Sequence, residues 1–159
     1  KGHPGIDFQW PYDAEIIVAA DGVVGDIRED INPNDRTTIY ILTVVDGKYG
    51  VVYEVKDLYQ FNPGLKIDDR VKPGLVLGHT HAASKEDEWT MIHWGFGTVR
   101  ESDGRPNPEG VIERYYFDWL CPMSYFSASD RKRLLLIWKE ADYQHKDKFP
   151  EVCNDYYKE

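Results

Sequence analysis

The chain has 159 residues, of which 42% are hydrophobic and 14% aromatic, and this composition predicts one folded domain and argues against disorder. Its formal net charge of −9 disfavours nucleic acid and anionic membranes as partners, because like charges repel. No apolar run approaches the ~20 residues of a membrane-spanning helix. Residues 1–5 do not resemble a signal peptide. We therefore expect a soluble, mature or truncated domain with no membrane span.

The first half of the chain reads as short strands separated by turns. The apolar run at residues 16–20 leads into Asp21-Gly22, a dipeptide typical of hairpins. A second such signal, Asp46-Gly47, separates the β-branched stretch 37–45 from another strand candidate at 49–55. The sequence thus predicts two hairpins before residue 56.

Further short apolar pieces follow at residues 65–67, 75–77 and 91–96, with turns at Asn62-Pro63-Gly64 and Lys72-Pro73-Gly74. Strands of this length and spacing favour a sandwich or barrel. We therefore expect a mostly β fold, a small antiparallel β sandwich or barrel-like domain.

The pattern changes near the C-terminus, where apolar residues recur at helical spacing. Ser127 or Ser129 can cap a helix, and Asp130 suits its first turn. The apolar stripe that we expect to pack on the sheet consists of Leu134, Leu135, Ile137, Trp138 and Ala141. The sequence thus predicts a β domain at residues 1–126 and a helical extension, packed on it, at residues 127–159.

Two cysteines, Cys121 and Cys153, allow one disulfide. Their spacing matches no zinc motif. Two separate thiols and a bridge both remain open. A bridge would tie the tail to the domain and imply an oxidising compartment.

A candidate metal site lies at the start of the chain, where His3 and Asp7 are four residues apart. Imidazole and carboxylate are both good zinc ligands, and three protein ligands with a water form the usual catalytic zinc site. Taken alone, this spacing is more often a surface histidine and a turn aspartate than a metal site.

The surrounding motifs strengthen that candidate. The stretch His3-Pro4-Gly5-Ile6-Asp7 precedes an apolar strand that ends in Ala19-Ala20-Asp21-Gly22-Val23-Val24. Pro63-Gly64-Leu65 comes later, and Met91-Ile92-His93-Trp94 ends the series. This order resembles the lysostaphin/LytM-like zinc metallopeptidases, which carry H-x-G-x-D, A-x-x-G-x-V, P-G-L and H-x-H-F in turn. The resemblance spans residues 2–96 and a closing segment at 121–125.

The resemblance implies a lysostaphin-type fold and a Zn²⁺ site formed by His3, Asp7 and His93. It also implies an extracytoplasmic location and a peptide or peptidoglycan-like ligand. Met91 stands where the family has the first histidine of H-x-H. The family's other catalytic histidine aligns with Asp57, or with Val55 in an alternative alignment. The chain therefore resembles a degenerate member without the catalytic histidines.

Other side chains could replace the missing groups. His79 and His81 would share one face of a strand. Asp57 or Glu54 could act as a carboxylate base near the zinc. The plainer interpretation is loop surface for His79 and His81 and a solvated strand end for Asp57.

Trp10 and Trp89 flank the motifs and are candidates for a substrate groove, although aromatic residues of small β domains are commonly core. Two functions follow from the resemblance. One is a zinc-binding protein with weak or altered hydrolysis of cell-wall peptides. The other is an inactive binding or regulatory module, with another wall hydrolase as its partner.

Overall fold

The structure of the protein is a computed structural model. The described residues are 5–11, 14–31, 37–56, 58–59, 61–62, 64–80, 89–105 and 114–140. No helix in this part of the chain is long and apolar enough to cross a membrane.

Ten strands and one α-helix form within the described residues. In chain order they are β1 Ile6–Pro11, β2 Glu15–Ile17, β3 Gly22–Ile31, β4 Thr37–Val45, β5 Tyr49–Lys56, β6 Leu58–Tyr59, β7 Arg70–Val71, β8 Val76–Thr80, β9 Trp89–Glu101, β10 Tyr115–Leu120 and α1 Ala128–Glu140.

The strands form two sheets. The larger sheet has the order β1-β9-β5-β4-β3-β7, and β10 also pairs with β9; the smaller sheet has the order β2-β8-β6. Every pairing is antiparallel. Neither sheet closes into a barrel in the part of the chain that the structure describes. The expectation of a mostly β, antiparallel fold with a C-terminal helix is confirmed.

The main core lies against one face of the larger sheet, where alternate residues of β5 are buried. Val51, Tyr53 and Val55 are 0–2% exposed. In the same order, they lie opposite Phe96, Trp94 and Ile92 of β9. Ile16 and Leu77 of the smaller sheet belong to the same core cluster. Full burial of such a side chain contributes about 1.5–3 kcal/mol. Because residues of both sheets share this core, their burial holds the two sheets together.

The two hairpin signals have different outcomes. Asp46-Gly47 joins the paired strands β4 and β5, as predicted. Asp21-Gly22 does not form a hairpin, because β2 pairs with β8 whereas β3 pairs with β4 and β7. The physical reason is that Val18 stays with the smaller sheet: its N–H donates to the Leu75 carbonyl at 2.9 Å, and its carbonyl accepts from the Gly74 N–H at 3.0 Å.

The helix begins as the sequence predicts but packs differently. The Ser127 hydroxyl oxygen accepts from the Asp130 N–H at 3.2 Å, which identifies Ser127 as the cap. Leu134 and Leu135 pack against a small cluster formed by Cys121 and Met123. Ile137 is 54% exposed, so its assignment to the buried stripe is wrong.

Two aromatic residues just before the helix cover part of the main core. Tyr125 and Phe126 contact the Trp94 ring, with ring centroids 5.1 and 5.2 Å away. The side chain of Trp138 and all of Ala141 lie outside the described residues.

Cys121 is 5% exposed and disulfide-bonded. Cys153, the other cysteine of the sequence, lies outside the described residues.

Candidate functional site

The centre of the candidate site is a contact between the first strand and the longest one. The register of β1 on β9 places Asp7 directly opposite His93. His93 Nδ1 and Asp7 Oδ1 are 2.9 Å apart, within hydrogen-bonding distance. The His93 side chain is 5% exposed and that of Asp7 is 34% exposed. A buried imidazole thus faces a carboxylate that solvent can reach.

Gly5 fixes the other edge of the His93 ring. A Cβ atom at Gly5 would collide with Cε1 and Nε2 of His93 and would lie 2.8 Å from the Trp94 carbonyl oxygen. A glycine is therefore required where the chain enters β1, because its backbone lies directly against the ring. The consequence is a defined orientation, with Nε2 towards Gly5 and Nδ1 towards Asp7.

Trp119 of β10 borders the same histidine. The His93 and Trp119 ring centroids are 5.9 Å apart at 71°, an edge-to-face arrangement. Trp119 lies over Gly95, where a Cβ atom would collide with the indole ring. The absence of a side chain at Gly95 therefore allows β10 to place an aromatic wall beside His93.

Asp7 and His93 fit two of the three ligands that the resemblance implies. Two ligands of a tetrahedral zinc ion at ~2.0–2.1 Å lie about 3.3 Å apart, so the observed 2.9 Å pair needs to open only slightly. His3, the third implied ligand, lies outside the described residues. Within the described ranges no group of three or more metal-binding side chains occurs.

A groove of about 270 Å³ lies on the His93 face of the sheet. Glu54 of β5 stands directly opposite His93, and Tyr40 of β4 stands opposite Glu54. Both line the groove, together with Asp26 and Arg28 of β3. Three aromatic residues of β10 also line it, namely Tyr115, Phe117 and Trp119, and Ile41, Leu42 and Val52 complete the lining.

Met91 lies two residues before His93 on β9 and opposite Gln9 of β1. Residues two apart on a strand share a face, so Met91 lies on the His93 face. A thioether sulfur is at most a weak hydrogen-bond acceptor and carries no proton for transfer. This position therefore offers no general acid or base.

Of the three candidates His79, Asp57 and His81, only His79 lies within the described residues. His79 lies in β8 of the smaller sheet, opposite Glu15 of β2 and Tyr59 of β6. Asp57 and His81 lie outside the described residues.

The tryptophan candidates are located only by their backbones. Trp10 pairs with Thr90, and Trp89 pairs with Pro11, so both positions lie at the β1–β9 end of the sheet. Their side chains lie outside the described residues.

Sequence reasoning missed Trp119, Tyr40 and Arg28 as groove residues. The alternation of Tyr115, Phe117 and Trp119 was a usable signal for a strand with one aromatic face. Tyr40 and Arg28 gave no comparable signal, because their position depends on the register of three strands.

The chain is similar to three groups of solved structures. It shares 18% identity, with a TM-score of 0.44, with a mutant catalytic domain of the prophage-encoded M23 protein EnpA from Enterococcus faecalis, over 60% of this chain and 68% of that chain. For LytU the identity is 21% and the TM-score 0.49, over 77% of this chain and 71% of that chain. For Helicobacter pylori Csd3 the identity is 22% and the TM-score 0.44, over 86% of this chain and 32% of that chain.

No family model matches the chain, and no curated protein matches it. At these identities and TM-scores the structural likeness decides neither family nor activity.

Proposed function

We propose that this chain is a LytM-like, metallopeptidase-fold protein that binds Zn²⁺ through His3, Asp7 and His93 and has weak or altered hydrolytic activity on cell-wall peptides. The observation that carries the proposal is the 2.9 Å contact between Asp7 Oδ1 and His93 Nδ1. The two residues are 86 positions apart in sequence, in motifs that resemble the ligand motifs of one family. A peptide or peptidoglycan-like ligand and an extracytoplasmic location belong to the same proposal.

The residues around the pair suit a metal centre. Gly5 holds the ring with Nδ1 turned to Asp7, and Trp119 covers the ring from the side of β10. Asp7 remains partly exposed, so an ion and a peptide can reach it from solvent. A bound zinc ion would supply Lewis-acid polarisation of a peptide carbonyl.

The proposal includes weak hydrolysis because the acid–base groups are missing. Met91 cannot transfer a proton, and general acid–base catalysis typically contributes ~10²–10⁴-fold. Glu54, directly opposite His93, is the nearest carboxylate in register on β5.

The first test is the zinc content of the purified protein and of two variants. We expect about one zinc per chain in the wild type and none in His93→Ala, because loss of one of three ligands leaves an incomplete site. His79→Ala is the matched control, since it removes a histidine from the smaller sheet and should retain the metal. Tight zinc binding by His93→Ala would refute the ligand assignment.

A second candidate function, a catalytically inactive module that binds wall peptides or regulates another wall hydrolase, is favoured by Met91. The discriminating variant is Met91→His, which places an imidazole two residues from His93 on the same face. If the lost acid–base group limits a peptidase, hydrolysis of peptidoglycan should rise by at least about tenfold. Unchanged hydrolysis, in a folded and zinc-loaded variant, would favour the binding module.

A further inference from the structure

We propose that the groove beside the Asp7–His93 pair binds a peptide through a cationic group, a lysine-type ammonium, held between Glu54 and the aromatic ring of Trp119. The proposal deepens the proposed function by naming the ligand class of the same site. It rests on that function for the peptide nature of the ligand, whereas the preference for a cation is carried by the groove residues.

Strand register places the groove and the candidate metal pair on one surface. His93 is paired with Glu54, Glu54 with Tyr40, and Tyr40 with Arg28. Directly paired residues of antiparallel strands point to the same face, with Cβ atoms about 4.5–5.5 Å apart. A ligand in the groove is therefore one strand away from His93, and Trp119 contacts both regions.

The charges of the groove favour a cation. Arg28 Nε lies 3.0 Å from Asp26 Oδ2, so the one base among the lining residues is paired with one of the two acids. Glu54 is half-buried, and no hydrogen bond or ion pair joins its carboxylate to any described residue. A carboxylate in this position gains most from a ligand that brings a positive charge.

The aromatic walls add to the same preference. The Arg28 guanidinium already lies over the Tyr40 ring, 5.6 Å from its centroid. Trp119 and Phe117, also in the lining, form an edge-to-face pair with centroids 4.7 Å apart. The faces of such rings carry negative potential and attract ammonium groups. A volume of about 270 Å³ suits one long side chain rather than a folded partner.

The test uses three capped pentapeptides that are identical except at the centre, where they carry lysine, norleucine or glutamate among alanines. Calorimetric titration into the wild-type protein is carried out with chelator and again with zinc. We expect the lysine peptide to bind about tenfold more tightly than the norleucine peptide. The glutamate peptide should bind most weakly, and added salt should reduce the lysine preference.

The matched variants are Glu54→Gln and Glu29→Gln, which change the net charge equally. Glu29 is exposed on β3 next to Arg28, so strand alternation directs it to the opposite face. Glu54→Gln should remove the lysine preference, and Glu29→Gln should keep it. Thermal melts establish that each variant is folded. Titration of the three peptides into the wild-type protein tests the proposal without any substitution.

Three results would overturn the inference: equal affinity for the lysine and norleucine peptides, a lysine preference that survives Glu54→Gln, or no binding of any peptide with or without zinc. Failure here is separable from failure of the proposed function. A protein that holds zinc through His93 but ignores the charge of the peptide keeps the metal site and loses this inference.

Discussion

Tyr53 couples the burial of a core side chain to proton binding. Its ring is 2% exposed, and its hydroxyl oxygen accepts from the Ala19 N–H at 2.8 Å. Burial, which penalises the charged phenolate, raises the pKa of Tyr53 to about 12. In the unfolded chain the pKa of a tyrosine is about 10. The folded state therefore holds this proton more tightly than the unfolded state.

The stability contributed by neutral Tyr53 is fully present below pH ~10 and is lost as the pH rises from ~10 towards ~12. At pH ~11.5 the loss amounts to about 2 kcal/mol. We predict that the free energy of unfolding in urea falls by about this much more in the wild type than in Tyr53→Phe between pH ~9 and ~11.5. Equal falls in both proteins would mean that other groups set the alkaline limit.

At the same scale, the sequence pointed to Asp7 and His93 through their motifs, and the structure brings the two side chains together. Their role as metal ligands stays a prediction. The orientation of the His93 ring could not be foreseen, because it depends on the contact of Gly5 with Nε2 and on the side chain of Trp119. Such contacts arise from register, which residue types alone do not fix.

Strand β10 depends on Gly95 for its position on β9. Trp119 and Leu120 pair with Gly97 and Phe96, and the Trp119 indole covers the bare Cα of Gly95. A methyl group there must displace either the indole or the strand. The aromatic wall beside His93 is therefore set by a residue that has no side chain.

We predict that Gly95→Ala lowers the free energy of unfolding by about 1–3 kcal/mol, as expected for overpacking. It should also shift the tryptophan fluorescence, because Trp119 is forced towards solvent. Gly64→Ala is the control, since a Cβ atom there meets only Asn62 Oδ1 at 3.4 Å. Equal stability of the two variants in urea titrations would contradict the close packing of Trp119 on Gly95.

Among the elements, the β4–β5 hairpin could be predicted because the turn and both strands are local in sequence. The same kind of signal at Asp21-Gly22 was misleading, since local chemistry does not show which sheet the next strand joins. Ile137 of the helix was predicted to be buried, but it is 54% exposed. Which helix residues are buried depends on the cluster of Cys121 and Met123, which sequence spacing does not show.

For the whole molecule, alternation and turn spacing were sufficient to predict a mostly β, antiparallel fold. The division into two sheets was not predictable, because Val18 and Leu75 hold β2 away from β3 by backbone hydrogen bonds. The groove could not be predicted from the sequence either. Its lining comes from β3, β4, β5 and β10, so it exists only once four strands are in register.

Strand β1 lies at one end of the larger sheet and, in the described part of the chain, pairs with β9 alone. End strands open at lower free energy than strands inside a sheet. Each opening of β1 separates Asp7 from His93. A ligand that needs both residues therefore binds only the fraction of molecules in which β1 is paired with β9. Its apparent dissociation constant is the intrinsic constant divided by that fraction. Local opening of β1 therefore weakens the apparent affinity of the site for its ligand. Substitutions along β1 that do not contact the ligand can change that affinity by changing how often the strand opens.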